Sequence, residues 1–131
     1  MKKTSLLFVF IFGFISYYSA QTSYSCYYRE YCDWNEYAEK FEECQGYEEA
    51  SLFTISDNET MFSHAIESMK STYFVTEKEN DWEKNLTTYY VTSDVGNKYI
   101  YIFDPDNKEI RVLINDDDGT RLLRFYVKAI F

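Results

Sequence analysis

From Ser51 onward the chain is a series of short runs rich in β-branched and aromatic residues, separated by turn-forming residues, the pattern of an antiparallel meander. Three hairpins in the second half can be registered independently of one another. A turn at Gly96-Asn97 pairs Val91 with Ile102 and Thr92 with Tyr101. A three-residue loop after Asp104, with Asn107 left-handed, pairs Ile102 with Ile110 and Ile100 with Val112. A turn at Asp118-Gly119 pairs Ile114 with Leu123, Val112 with Phe125 and Ile110 with Val127. All three registers put Val91, Ile100, Ile102, Ile110, Val112, Ile114, Leu123, Phe125, Val127 and Ala129 on one face, and a one-residue slip in any single hairpin breaks that agreement.

Upstream, Leu52–Ser56, Thr60–His64 and Lys70–Glu77 read as three more strands, the first two turning at Asp57-Asn58. A helix over 59–69 competes with the second of them, because Met61, Phe62, Ala65, Ile66 and Met69 also cluster at helical spacing. The polar segment 78–85 reads as an exposed loop with one ring, Trp82, turned inward. Residues 33–44 are equally divided. Asp33 with Glu36 fits a capping box ahead of Trp34, Tyr37, Ala38 and Phe41, while Tyr-rich runs at 24–32 and 38–44 fit a hairpin turning near Asn35. The expected fold is mainly β, a single meander sheet or small open barrel with at most one short helix, in one domain spanning 21–131.

The first twenty residues have the three zones of a secretory signal: Lys2-Lys3, an apolar run from Leu6 to Ile15, then small residues to Ala20. The apolar run is too short to anchor the chain across a bilayer, so the expectation is a signal-peptide helix, cleavage near Ala20 and a secreted or periplasmic product with no stable transmembrane anchor. Cys26, Cys32 and Cys44 then meet an oxidising compartment, where one pair can bridge. A hairpin turning at Asn35 sets Cys26 opposite Cys44 and makes that pair the expected disulfide. There is no C-x-x-C spacing to suggest redox or zinc-ribbon chemistry.

Charge and composition narrow the function classes. The formal charge of −9 becomes −11 once Lys2 and Lys3 leave, which repels phosphate backbones and argues against a nucleic-acid partner. Aromatics make up 21% of the chain, including 14 Tyr, too many to be accounted for by the signal peptide. Catalytic constellations are missing. His64 is the single histidine, its neighbour Ser63 falls on the other face of a strand, and His64 is read as a surface or hairpin-end residue. The run Asn115 to Gly119 lacks the acids that an EF-hand needs at the positions of Ile114 and Phe125, so it reads as a solvated turn with no metal. Glu42-Glu43 and Glu48-Glu49 are sequence neighbours, which a strand sends to opposite faces, and are poor acid/base partners. Asn58 and Asn85 begin N-x-T sequons that matter only in a eukaryotic secretory pathway.

The same registers collect Tyr90, Tyr99, Tyr101, Arg111, Arg124 and Tyr126 on the face opposite the aliphatic one, with Arg111 across from both Tyr101 and Tyr126. Flat rings beside guanidinium groups suit a protein, peptide or carbohydrate partner, so these six are the candidate binding residues. No catalytic residue, cofactor or metal ligand is assigned. The sequence therefore points to a non-enzymatic binding or interaction module. A small secreted hydrolase built around His64 is one alternative. An outer-membrane barrel is the other, suggested by the apolar alternation from Leu123 to Phe131; residues 21–131 barely suffice for eight spanning strands, and the polar face carrying Arg111, Arg124, Tyr126 and Lys128 would line its lumen.

FTISDNETMFSH from Phe53, TSDVGNKYIYIFDPDNKEIR from Thr92 and the closing RFYVKAIF resemble small exported bacterial proteins of unknown function. The resemblance implies a secreted or periplasmic β-rich domain and carries over no activity, ligand or site residue.

Overall fold

A computed structural model describes residues 21–116 and 119–131; the signal-peptide reading of residues 1–20 lies outside them. Eight antiparallel strands follow one another around a closed barrel: β1 Thr22–Asn35, β2 Lys40–Ile55, β3 Met61–Ala65, β4 Lys70–Asp81, β5 Leu86–Ser93, β6 Lys98–Asp104, β7 Glu109–Asp116 and β8 Gly119–Ile130. The described residues contain no helix, so both divided segments, 33–44 and 59–69, resolve as hairpins. Closure comes from β1, which pairs with β2 on one side and β8 on the other and removes the free edges an open sheet would leave at its ends. Thus the expected all-β meander forms, and it forms as a closed barrel. Trp82 corrects a smaller expectation: β4 runs on to Asp81, and the ring stands 84% exposed at the turn.

The first hairpin turns at residues 36–39, later than Asn35, and pairs Asn35 with Lys40. Asn35 still organises it, its Oδ1 accepting from the backbone N–H groups of Tyr37 and Ala38. That displacement changes the cysteine pairing. Cys32, not Cys26, comes opposite Cys44, and the Cys32–Cys44 disulfide ties β1 to β2 with its Cα atoms 4.1 Å apart. Cys26 is a free thiol inside the barrel, 3% exposed, and burial pushes its pKa up to about 11, so it is a small apolar core residue.

The barrel is filled across its middle. Phe53, Phe62, Tyr101, Phe103 and Phe125 meet there mostly edge to face, with Phe62 4.9 Å from Tyr101 and Phe53 5.1 Å from Phe125 between ring centroids. Tyr89, Val91, Ile110, Val112, Leu123 and Val127 complete the packing. The expected aliphatic face is therefore largely the inward face, with one strand reversed: β6 turns Tyr99, Tyr101 and Phe103 inward and Ile100 and Ile102 outward.

Two turns reverse it. Between β5 and β6 the chain bends at Asp94-Val95-Gly96, with Gly96 left-handed and its N–H bonded to the Ser93 carbonyl, so Tyr89 rather than Thr92 faces Tyr101. Between β6 and β7 the loop holds four residues. Asp104 caps it by accepting from the Asn107 backbone and side chain at 3.3 and 2.8 Å, and Lys108, not Asn107, takes the left-handed position. Ile102 then pairs with Arg111. The β7–β8 register moves by an even step, pairing Val112 with Leu123, which leaves faces unchanged.

Candidate binding site

The barrel ends differ. At the lower end, where the turns after β2, β4 and β6 lie, a polar recess is lined by Tyr24, Ile55, Glu59, Tyr89 and Phe103 among others. Its half-exposed acid Glu59 is already paired. Glu59 accepts from the Tyr89 hydroxyl at 2.7 Å and from the Lys78 ammonium at 2.5 Å, and these partners hold its carboxyl below the ordinary range.

At the upper end, by the turns after β1, β3 and β5, a cavity of about 190 Å³ opens above the aromatic plug. Its walls are Ile66, Met69, Val112, Ile114, Leu123 and Phe125, and its polar groups are Arg29, His64, Ser71 and the tyrosines 73, 99 and 101. Arg29 comes from β1, where an irregular register between Cys26 and Tyr28 turns it inward beside Phe125. Its guanidinium carbon lies 5.7 Å from the Tyr47 ring centroid and 5.8 Å from that of Phe125, and it contacts Glu49 at 3.4 Å. His64 lies flat on Phe53, with centroids 4.1 Å apart and planes 2° from parallel, and stands edge-on to Phe125 at 5.0 Å. Of the two readings of His64, surface or hairpin-end, the second fits its place one residue from the end of β3, and the first is corrected: the ring is half-buried and lines the cavity, following Phe62 to the inward face. Burial, and then the Arg29 charge, depress its pKa to about 4, so at neutral pH the ring is uncharged. Its Nε2 is buried without a hydrogen-bond partner.

The six candidate residues do not share a face. Tyr99 and Tyr101 line the upper cavity, Tyr101 4% exposed, while Tyr90, Arg111, Arg124 and Tyr126 alternate with core residues and stand outside. Reversal of β6 is the cause, since it moves Tyr101 from beside Arg111 into the lumen. Outside, Arg111 and Arg124 belong to a chain of ion pairs crossing four strands. Arg124 meets Glu30 at 2.6 Å and Glu109 at 3.5 Å; Arg111 meets Glu109 at 2.8 Å and Asp104 at 3.1 Å. Tyr126 packs edge-on to Tyr28 at 5.6 Å. These guanidinium groups are engaged by the protein's own acids, whereas Arg29, which the alternation did not single out, faces a cavity.

Glu30 Oε1 lies 3.7 Å from Cys32 Sγ and close to Cys44, but both sulfurs are held in the disulfide, so that cluster is not a metal centre. No protein-family model, curated protein or solved structure matches this chain.

Proposed function

We propose that the mature chain is an exported, non-enzymatic binding module that takes a small, partly apolar ligand into the upper end of the barrel. The observation that carries this reading is the upper cavity itself: concave, mostly apolar, floored by packed aromatics, with a few polar groups converging on it. At 190 Å³ it has room for about six water molecules of ~30 Å³ each, which fits a ligand of one ring and a short chain. Export is supported by the three-zone N-terminus and by the Cys32–Cys44 bridge, which suits an oxidising compartment.

Two observations favour binding over hydrolysis. A general base works best with a pKa near the operating pH, and burial holds His64 at about 4. Its Nε2 also has no hydroxyl or thiol against it to activate. A membrane-spanning barrel is disfavoured by β3, whose five residues fall short of the about 9–11 a spanning strand needs, and by the ion pairs on the outer face.

Indole, a neutral single-ring probe, tests the reading. On addition to the mature protein it should shift the His64 ring resonances saturably, and Ile114→Trp, which fills the cavity, should abolish the shift. Indole shifts that are linear and unsaturating, or that persist in Ile114→Trp, would sink it.

A further inference from the structure

The walls of the cavity accept any small apolar body; its polar groups are more selective. A cation drawn into a barrel loses hydration, and that loss must be offset by pairing. Arg29 is partly offset. Its side chain is 31% exposed, and its acid partner Glu49 touches one nitrogen at 3.4 Å, a long contact for a charge-assisted bond. The guanidinium is meanwhile kept in place by the rings of Tyr47 and Phe125. A planar fork of donors fixed at a cavity mouth and under-used by the protein matches the geometry of a carboxylate.

His64 supplies the second half of the site. The ring shares Phe125 with Arg29, is fixed by its stack on Phe53, and leaves Nε2 buried and unpartnered. A buried ring nitrogen without a partner is costly, and a ligand oxygen would satisfy it if the proton sits there. We propose that the ligand is a small organic monocarboxylate with a flat or short aliphatic body, its carboxylate held between Arg29 and His64. This inference rests on the upper cavity being a binding site. Charge limits the head group as well. One guanidinium, already shared with Glu49 at 3.4 Å, leaves room for at most one further negative charge, and a chain of formal charge −11 after loss of Lys2 and Lys3 repels multiply charged anions.

The charged and titratable groups around the imidazole are Arg29 and Glu49 from β1 and β2, Tyr73 from β4 and Tyr99 and Tyr101 from β6. Burial and its tyrosine neighbours raise Tyr101 well above its ordinary value, so that ring carries no charge in the test range. An arriving carboxylate is therefore the one new charge that the imidazole meets.

The test compares 3-phenylpropionate with the neutral 3-phenylpropionamide on the mature protein. His64 reports by NMR, its resonances unambiguous because the chain has one histidine. The acid should bind at least about tenfold more tightly than the amide, the scale of one charge-assisted hydrogen bond pair. It should also raise the His64 titration midpoint from about 4, while the amide leaves it in place. Arg29→Gln should bring the two ligands to equal affinity, its retained amide binding reporting an intact cavity. Glu49→Gln, which frees Arg29 without touching the core, should tighten the acid alone, and it decides the matter if Arg29→Gln does not fold. Equal binding of acid and amide, or an unmoved midpoint with the acid bound, would overturn the carboxylate assignment and leave the cavity reading standing. Failure of acid, amide and indole alike would overturn both.

Discussion

His64 is the residue whose protonation the fold opposes most clearly. Its pKa lies at about 4 in the barrel against 6.5 in an unfolded chain, because burial and the Arg29 charge penalise the imidazolium. Above pH 6.5 neither state carries the proton and there is no penalty. As pH falls from 6.5 toward 4 the unfolded chain takes up a proton that the folded one refuses, so stability falls, by an amount on the order of 2–3 kcal/mol. Glu59 and Asp104, whose pKa values are lowered from 4.5 and 3.8, begin to weaken the fold only below those values. Between pH 6.5 and 5 the histidine is therefore the first of these three groups to act. Denaturant midpoints should drop across that interval in the wild type and stay flat in His64→Phe, which keeps the stack on Phe53 without titrating. An equal slope in both would show that the ring is not desolvated as described.

β6 is the element on which sequence reading and structure part, and the reason is physical. In Lys98–Asp104, Ile100 and Ile102 alternate with Tyr99, Tyr101 and Phe103, so both faces are apolar enough to be buried and period-two counting has no preference between them. Each flanking register differs from the structure by an odd number of residues. Those two differences cancel everywhere except in β6 itself, which is why three mutually consistent hairpins still held one reversed strand. The tie is broken by side-chain capping at Asp104 and a left-handed Lys108, neither of which alternation records. Arg29 was illegible for a related reason: irregular registers on both sides of it, after Cys26 and after Tyr31, offset β1 from simple alternation. By contrast, the inward set on β7 and β8 was legible, because there Ile110, Val112, Leu123, Phe125 and Val127 alternate with a largely polar outer set. The reversal predicts opposite sensitivities. Phe103→Ala, at 1% exposure in the plug, should cost about 3–5 kcal/mol in equilibrium unfolding, whereas Ile102→Thr, on the half-buried outer face, should cost less than about 1.5 kcal/mol. The reverse ranking would restore the sequence-based register.

At the scale of the whole molecule, packed rings fill the barrel, while its outer side carries ion pairs beside exposed apolar residues such as Tyr47, Leu52 and Phe74. Phe131 bears on how such a barrel closes. An outer-membrane barrel would use a terminal aromatic residue on an alternating strand as an assembly signal, and here the alternation runs to Phe131 itself. In the structure Phe131 is 70% exposed and Ile130 43% exposed, so neither side chain belongs to the core. What the terminus contributes is closure: the Phe131 N–H donates to the Ser23 carbonyl at 2.9 Å, and the Ser23 N–H donates to the Phe131 carbonyl at 2.7 Å, sealing β8 against β1. Two backbone bonds at the rim of a barrel are worth about 1–2 kcal/mol net. Deleting residues 130 and 131 should therefore lower the unfolding free energy by about that amount, leaving a folded, detergent-free monomer that still binds the cavity probe. Because closure is shared along β1 and β8 from Tyr24 to Asp33, the rim can fray without opening the barrel. A chain that stays soluble and folded without its terminal Phe owes its assembly to its own interior. One that folds only in detergent micelles, and only with Phe131 present, would place the barrel in a membrane and turn the ion-paired face toward a lumen.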